Sequence, residues 1–247
     1  AAITVTPGGD YAVTEAGGLN NATPGDPDAS GDLDITDVDS GEAAFVPATP
    51  GDLQGTYGTF TFNDTTGAWT YTLDQVLADS LDDNESVTDT LIVSSLDGTD
   101  SHNIVVNITG ANDTPGVVVT DPAAVSEADT STPVTVTIAD QVVISDADAS
   151  DVAVDYEAGS LALDSTSGPA PGGGLAALFS LNTATGTISY DRADFNYLAA
   201  GEQVTATFDF TSASGPDTGL PQQITLTING ANDTPGVVVT DPAAVSE

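Results

Sequence analysis

The chain has 247 residues with no cysteine, no methionine and one histidine, and 38 acidic residues against one basic residue give it a formal net charge of −37. Such a surface repels nucleic acid and anionic membranes, because binding to either needs Lys and Arg, and no stretch approaches the roughly 18 apolar residues of a membrane span. Without thiols and with a single histidine, zinc, copper and iron–sulfur sites are not expected.

The acidity itself allows two interpretations that are compatible with each other. The carboxylates can face water and keep the protein soluble in a salty medium. Some of them can also bind a hard divalent cation, since calcium prefers oxygen ligands.

Alternation of apolar and polar residues, broken by Gly, Asp, Asn and Pro, predicts many short β-strands. In chain order, the clearest segments of the first half are "TYGTFTFND", "GAWTYTLD" with Trp69, Tyr71 and Leu73 on one face, and "NIVVNITG" with Ile104, Val106 and Ile108 inward. The second half continues with "TGTISYD", "QVTATFDFT" and "QITLTING". The one short helix expected lies around Asp74–Leu81, so the pattern is typical of an all-β sandwich or barrel.

An internal repeat sets the expected domain limits. "GANDTPGVVVTDPAAVSE" occurs at 110–127 and again at 230–247, and "TTGAWTY" at 65–71 matches "ATGTISY" at 184–190. We therefore expect one domain over 1–111 and a second over 112–231. Residues 232–247 are expected to be the start of a following repeat, with a strand at Val237–Val239 that is held by a neighbouring molecule's sheet edge or by the end of the second domain. The alternative is that this tail completes the second sandwich, which would move the domain limits.

Carboxylate pairs recur at corresponding places in the two halves. Asp37 and Asp39 follow the opening segment of the first half, and Asp146 and Asp148 follow that of the second. Alternate carboxylates on an extended segment can turn the same way and share one calcium ion. The recurrent Asn-Asp at 112–113 and 232–233 strengthens this interpretation.

The stretch from "YGTFTFND" to "NITGANDTP" resembles the VCBS repeat of very large bacterial surface proteins, and it covers most of the first half. The second half, through "TGTISYDRADFNYLAAGE", resembles the related cadherin-like bacterial repeats. The resemblance implies tandem Ig-like (cadherin-like) Greek-key β-sandwich domains in an elongated array, with calcium held at the domain junctions.

The resemblance also implies three sets of calcium ligands. The complete junction uses Glu15, Asp74, Asn112, Asp113, Asp146 and Asp148. The top of the first domain has Asp37, Asp39 and Asp97. The C-terminal counterpart has Glu127, Asp191, Asn232 and Asp233, with Asp194 competing for the place of Asp191, and Asp217 is a further candidate for the complete junction.

Other signals admit alternatives. The stretch "DPDASGDLDITD" at 26–37 imitates an EF-hand loop but ends in Asp and lacks flanking helices, so it is either a metal loop or a solvated acidic loop. Trp69 can stack on a sugar, although its face favours the core. His102 is the only histidine, and a Ser-His-Asp site or a carboxylate pair does not stand out, so an enzyme is not expected.

These observations predict calcium-rigidified extender repeats of a large secreted bacterial adhesin, which project a distal binding domain from the cell surface. Type I secretion is implied by the resemblance. The partners expected are neighbouring repeats of the same polypeptide, with no nucleic acid, no membrane insertion and a monomer in isolation. The alternative is a ligand-binding module, lectin-like or for cell contact, in the same kind of surface protein.

Overall fold

The alternating segments form strands in the computed structural model, which describes residues 1–39, 41–128 and 133–233. By its contacts the chain divides into two units. The first contains Ala1–Gly116, Ser145–Ala153 and Ser214–Asp217, and the second contains Val117–Ile144, Val154–Ala213 and the chain from Thr218 onward. The domain limits expected from the repeat stay a prediction, and the expected strand at 237–239 lies outside the described residues.

The first unit is built from seven strands and one short helix. In chain order these are β1 (Ala2–Val5), β2 (Ala12–Thr14), β3 (Asp28–Thr36), β4 (Gly58–Phe62), β5 (Ala68–Leu73), α1 (Gln75–Ala78), β6 (Ser86–Ser94) and β7 (Ser101–Thr109). One sheet has the order β1–β3–β5–β4 and is antiparallel throughout. The other has the order β2–β7–β6, in which β2 runs parallel to β7.

The two sheets of the first unit share one hydrophobic core. Trp69 and Tyr71 from the first sheet and Ile104, Val106 and Ile108 from the second are at most 1% exposed and belong to the same cluster. This confirms the inward faces predicted from the alternation. The order β1–β3–β5–β4 corresponds to the order A-B-E-D in the lettering used for Ig-like domains, and an all-β sandwich with such a sheet is typical of them. The predicted fold class is therefore confirmed.

Strand β3 corrects one prediction. Residues 26–37 were expected to form an acidic loop, but Asp28–Thr36 is a strand. Ala29 and Leu33 point inward and are buried, while the aspartates of the strand, Asp28, Asp32 and Asp34, are exposed. The acidic residues occupy only outward positions, so the small and apolar residues between them can pack against the core.

A buried carboxylate of this unit has a structural role. Asp89 is 3% exposed and accepts hydrogen bonds from the Tyr71 hydroxyl at 2.8 Å and from the backbone N–H groups of Thr56 and Tyr57 at 2.7 and 2.9 Å. Because three hydrogen-bond donors already compensate the charge of the Asp89 carboxylate, it needs no cation. It fastens the turn before β4 to the second sheet.

The second unit repeats this plan. Its strands are β8 (Gly116–Val119), β9 (Val125–Ser126), β10 (Val134–Thr137), β11 (Val142–Ser145), β12 (Ala153–Val154), β13 (Ala162–Ser167), β14 (Phe179–Asn182), β15 (Thr187–Tyr190), β16 (Gln203–Ser214) and β17 (Asp217–Asn229), of which β8, β11, β12, β16 and β17 each have an end residue in the first unit. The 3-10 turns are at Leu19–Asn21 in the first unit and at Ile138–Gln141, Leu175–Leu178 and Arg192–Phe195 in the second. Strand β9 runs parallel to β17, as β2 does to β7.

The sheets of the second unit are β10–β15–β14, β11–β8 and β12–β16–β17–β9, with β13 also paired to β16. Ile188, Phe195, Phe208, Ile224 and Ile228 are fully buried in one core. Because both units place a short parallel strand beside their last strand, the glutamate that follows that short strand has the same position in each.

Candidate metal centre

Strand pairing buries the first carboxylate of the site, that of Glu15. Strand β2 pairs in parallel with the end of β7, and the Glu15 N–H continues the ladder by donating to the Thr109 carbonyl at 3.0 Å. The side chain is 1% exposed; Oε2 accepts from the Ala111 N–H at 3.2 Å, whereas Oε1 is buried and no protein group donates to it. A buried carboxylate oxygen without a donor is costly unless a cation compensates it.

Two further carboxylates meet Glu15. Asp79 ends α1 as its C-cap residue, and Asp113 lies in the segment after β7. One oxygen from each of the three lies within 4.8 Å of the others. Asp113 is 5% exposed and its Oδ1 is also buried with no donor.

The backbone around the cluster is packed closely enough to require glycine at one position. The Gly18 N–H donates to the Asn112 carbonyl at 2.8 Å. A Cβ on Gly17 would lie 2.6 Å from that carbonyl oxygen, closer than side chains tolerate. Glycine therefore allows the chain after β2 to lie against the Asn112–Asp113 segment.

A second group of carboxylates adjoins the first within the same unit. Asp146, Asp148 and Asp151 each offer an oxygen within 4.8 Å of the others. Asp148 is 4% exposed; its Oδ2 accepts from the Asp113 N–H at 2.8 Å, and its Oδ1 is buried with no donor. The segment is anchored by the Ser150 N–H, which donates to Asp82 Oδ1 at 2.9 Å.

We call the two groups together the carboxylate centre (Glu15, Asp79, Asp113, Asp146, Asp148 and Asp151), and the pKa values of four of its members are raised. Burial, together with the charges of Asp113, Asp79 and Asp148, raises the pKa of Glu15 to about 8, while the Ala111 hydrogen bond acts in the opposite direction. Burial and the charges of Asp79, Asp148 and Asp146 raise the pKa of Asp113 to about 6. The pKa values of Asp148 and Asp151 are raised too, again mainly by burial.

This geometry fits calcium. Oxygen ligands at about 2.3–2.6 Å around one ion lie within about 5 Å of each other, and calcium takes six to eight of them. The centre offers oxygen donors alone, which disfavours zinc and copper. A cavity of about 280 Å³ lies beside the centre and is lined by Asp79, Asp113 and Asp146 together with Gly18–Asn21, Thr114, Gly116, Ser145 and Ala147.

The residues predicted from the resemblance have different places in this geometry. Glu15, Asp113, Asp146 and Asp148 belong to the carboxylate centre, but Asp74 does not. Asp74 is exposed and caps the start of α1 by accepting from the Val76 N–H at 3.0 Å. Asp79, which the motif did not indicate, belongs to the centre instead of Asp74, because the C-terminal end of α1 lies beside Glu15.

Asn112 lies next to the centre without belonging to the carboxylate groups. Its Nδ2 donates to Asp217 Oδ2 at 3.1 Å, and its Oδ1 is buried with no donor. The structure thus brings together Asn112 and the aspartate that the sequence marked as a further candidate.

A separate cluster lies at the start of the first unit. Asp37, Asp97 and Glu42, the last not predicted, each offer an oxygen within 4.8 Å of the others. The N-terminal ammonium lies 2.6 Å from Asp37 Oδ2 and 2.8 Å from Asp97 Oδ2, and this pairing lowers the pKa of both carboxyls. Asp39 is exposed and donates its N–H to Asp37 Oδ1 at 2.7 Å.

The predicted ligands of the second unit repeat part of the pattern. Glu127 is 4% exposed, its Oε1 accepts from the Ala231 N–H at 2.7 Å, and its Oε2 is buried with no donor. Asp191 caps the turn that follows by accepting from the Ala193 N–H, with Asp194 inside that turn. Asn232 and Asp233 are exposed, and Asn232 Nδ2 donates to the Asp233 carbonyl at 3.4 Å.

The remaining candidates have plainer positions. Trp69 is 1% exposed, which confirms the core interpretation over the sugar-stacking one. His102 is half-buried on β7. In the described part of the chain, no helix is long and apolar enough to cross a membrane.

Comparison with known proteins gives structural neighbours only. No protein-family model and no curated protein matches the chain. Protocadherin gamma B2 cadherin domains 1–5 match 95% of this chain at 13% identity and a TM-score of 0.45, with 40% of that chain covered. The protocadherin gamma B4 extracellular domain matches 93% at 17% identity and a TM-score of 0.42, with 33% covered.

A shorter neighbour is human mucin-like protocadherin EC1-2, which matches 94% of this chain and 99% of its own length at 15% identity and a TM-score of 0.42. The chain spans a third to a half of the longer neighbours it matches. These neighbours are cadherin extracellular domains. At such identities and TM-scores the fold of this chain rests on its own strand pairing.

Proposed function

We propose that this chain is a calcium-rigidified spacer segment of a large extracellular adhesion protein, in which it holds a distal binding domain away from the cell surface. The observation that carries the proposal is the carboxylate centre, where Glu15, Asp113 and Asp148 are buried and each keeps one oxygen without a donor. A bacterial surface protein of the VCBS-repeat type, exported by a type I system, is the parent that the sequence resemblance supports.

The burial of these carboxylates distinguishes a metal-binding role from a role in keeping the protein soluble. Carboxylates that keep a protein soluble face water, where their charge costs little. Three members of the centre with unpartnered oxygens, Glu15, Asp113 and Asp148, are at most 5% exposed. The chain has one basic residue, Arg192, which belongs to the second unit. A bound divalent cation is the compensation that oxygen ligands in this geometry support.

A spacer accounts for the repeated architecture. Both units are β-sandwiches with the same parallel strand and the same buried glutamate after it. Repeated units joined in series supply length, and their partners are then neighbouring repeats of one polypeptide. The chain would act as a monomer with no nucleic-acid partner, since its charge of −37 repels polyanions.

Calcium affinity is the first test. We expect Asp79→Asn to weaken calcium binding by about tenfold or more, because ligand charge sets calcium affinity. Asp74→Asn is the matched control: Asn caps a helix as well as Asp does, and Asp74 lies outside the centre. Isothermal titration calorimetry on both variants and the wild type measures the effect.

If instead Asp74→Asn weakens calcium binding and Asp79→Asn leaves it unchanged, Asp74 is the ligand, as the resemblance implies, and Asp79 is not. A wild-type protein that binds no calcium at millimolar concentration would reject the proposed function altogether.

Rigidification is the second test. We expect millimolar calcium to protect the segment around Asn112–Gly116 from proteinase K, because calcium ligation by Asp113 removes the local opening that cleavage requires. A broad-specificity protease is needed since the chain has one basic residue. Fragments are located by mass spectrometry. Cleavage at this segment that is equally fast with calcium and with chelator would contradict a rigidifying role.

The ligand-binding alternative predicts exposed aromatic side chains grouped together. Among the large hydrophobic side chains exposed in the described residues, only Tyr197 is aromatic, and it is 38% exposed. No observation here favours this alternative over the spacer, and binding of this chain on a glycan array would reverse that preference.

A further inference from the structure

The turn between β2 and β3 carries a feature that the calcium motif does not include. Gly17 and Thr23 close the turn by exchanging backbone hydrogen bonds of 3.0 and 2.8 Å. Asn20 and Asn21, inside it, have left-handed backbones with φ of 53° and 56°. Asn tolerates this conformation better than most residues. The left-handed backbone at Asn21 directs its side chain toward the carboxylate centre.

The Asn21 amide is oriented by Asp79. Its Nδ2 donates to Asp79 Oδ1 at 2.7 Å, and the reversed amide would place two oxygens against each other. Asn21 Oδ1 is therefore on the other side, where it is buried and no protein group donates to it. Asn21 lines the same cavity as Asp79, Asp113 and Asp146.

We propose that Asn21 is a metal ligand, which supplies Oδ1 to the cation of the centre while its Nδ2 holds Asp79 in place. The proposal rests on the proposed calcium function. Its independent support is the orphaned amide oxygen, together with the unpartnered Oε1 of Glu15, which is 1% exposed. Calcium accepts Asn carbonyl oxygens, and a neutral ligand adds coordination without adding repulsion to the six carboxylates.

Glycine substitution tests this ligand without straining the backbone, since glycine adopts positive φ freely. We expect Asn21→Gly to weaken calcium binding by about tenfold, the lower end of what a lost metal-orienting partner costs. The matched control is Asn84→Gly, which changes another left-handed asparagine, at φ 60°, that does not line the cavity. Calorimetry gives the dissociation constants, and thermal melting in chelator shows whether both variants fold alike.

Two further variants separate ligation from positioning. Asn21→Asp keeps an oxygen but loses the N–H donor, so we expect it to bind calcium more tightly than Asn21→Gly. In an Asp79→Asn background the Asn21 amide has no carboxylate to hold in place. A further loss of calcium affinity on adding Asn21→Gly therefore measures the contribution of Asn21 Oδ1 as a ligand. No further loss there would overturn the ligand role.

The outcomes also separate this proposal from the function on which it rests. Wild-type protein that binds no calcium would reject the function. Wild-type protein that binds calcium while Asn21→Gly and Asn84→Gly have the same affinity would reject the Asn21 ligand and leave the function standing.

Discussion

Calcium at millimolar concentration is expected to raise the melting temperature of the first unit on the order of 10 °C. One ion that binds only the folded state adds about 2.7 kcal/mol at 100 times its Kd, and each kcal/mol shifts the melting temperature of a domain of this size by roughly 2–8 °C. The six carboxylates of the centre form two groups, and a second bound ion would raise the melting temperature further.

Sodium chloride of matched ionic strength is expected to raise the melting temperature much less. Salt screens exposed charges, but Glu15, Asp113 and Asp148 are buried and are screened little. Differential scanning calorimetry of the dialysed protein in the two salts measures the difference. Asp79→Asn should lose much of the calcium response and keep the sodium response. Equal responses of the wild type to both salts would show that screening alone stabilises it.

In chelator, the stability of the first unit is expected to fall as the pH rises from 5 to 9. The pKa of Glu15 is raised to about 8 and that of Asp113 to about 6, mainly by burial. A carboxyl whose pKa is higher in the folded than in the unfolded state binds more protons when folded. Its stabilising contribution is complete below the unfolded pKa and is lost as the pH passes through the folded pKa.

The pH window identifies the groups responsible. Ordinary carboxyls are ionised in both states above about pH 6, so the decline between pH 6 and 8 comes mainly from Glu15, which faces Asp79, Asp113 and Asp148. Above pH 8 the N-terminal ammonium, whose pKa is raised to about 10 by Asp37 and Asp97, adds to the decline. Glu15→Gln is expected to flatten the part of the curve between pH 6 and 8. Saturating calcium should remove the decline in that range, because the ion binds the deprotonated ligands. A melting temperature that stays constant from pH 6 to 9 in chelator would contradict the raised pKa of Glu15.

Strands were predictable where alternation was strong. Trp69, Tyr71 and Leu73 alternate with polar residues, and the structure buries all three. The short helix α1 also lies where the sequence placed it. Strand β3 was missed because aspartates hold its outward positions and the inward ones include the small residues Ala29 and Gly31, which carry little apolar signal.

The carboxylate centre was predictable only in part. The recurrent Asn-Asp and the Asp-x-Asp pair pointed to Asp113, Asp146 and Asp148, since regular spacing leaves a trace in the sequence. Asp79 and Asn21 left none. Asp79 enters the centre through the turn of α1, and Asn21 through a left-handed turn whose backbone conformation has no marker beyond two adjacent asparagines.

The sequence by itself determined the chemistry and the fold class of this protein. Its charge of −37, its lack of thiols and its alternating segments predict an all-β chain whose metal sites use mainly oxygen ligands. They do so because composition and short-range periodicity are local properties. Only the tertiary structure decided which carboxylates converge. Glu15 meets Ala111 and Asp113 across 96 or more residues, and Asn21 meets Asp79 across 58. Such contacts depend on strand pairing over the whole unit, and they bury carboxylate oxygens without donors, whose charge a cation can compensate.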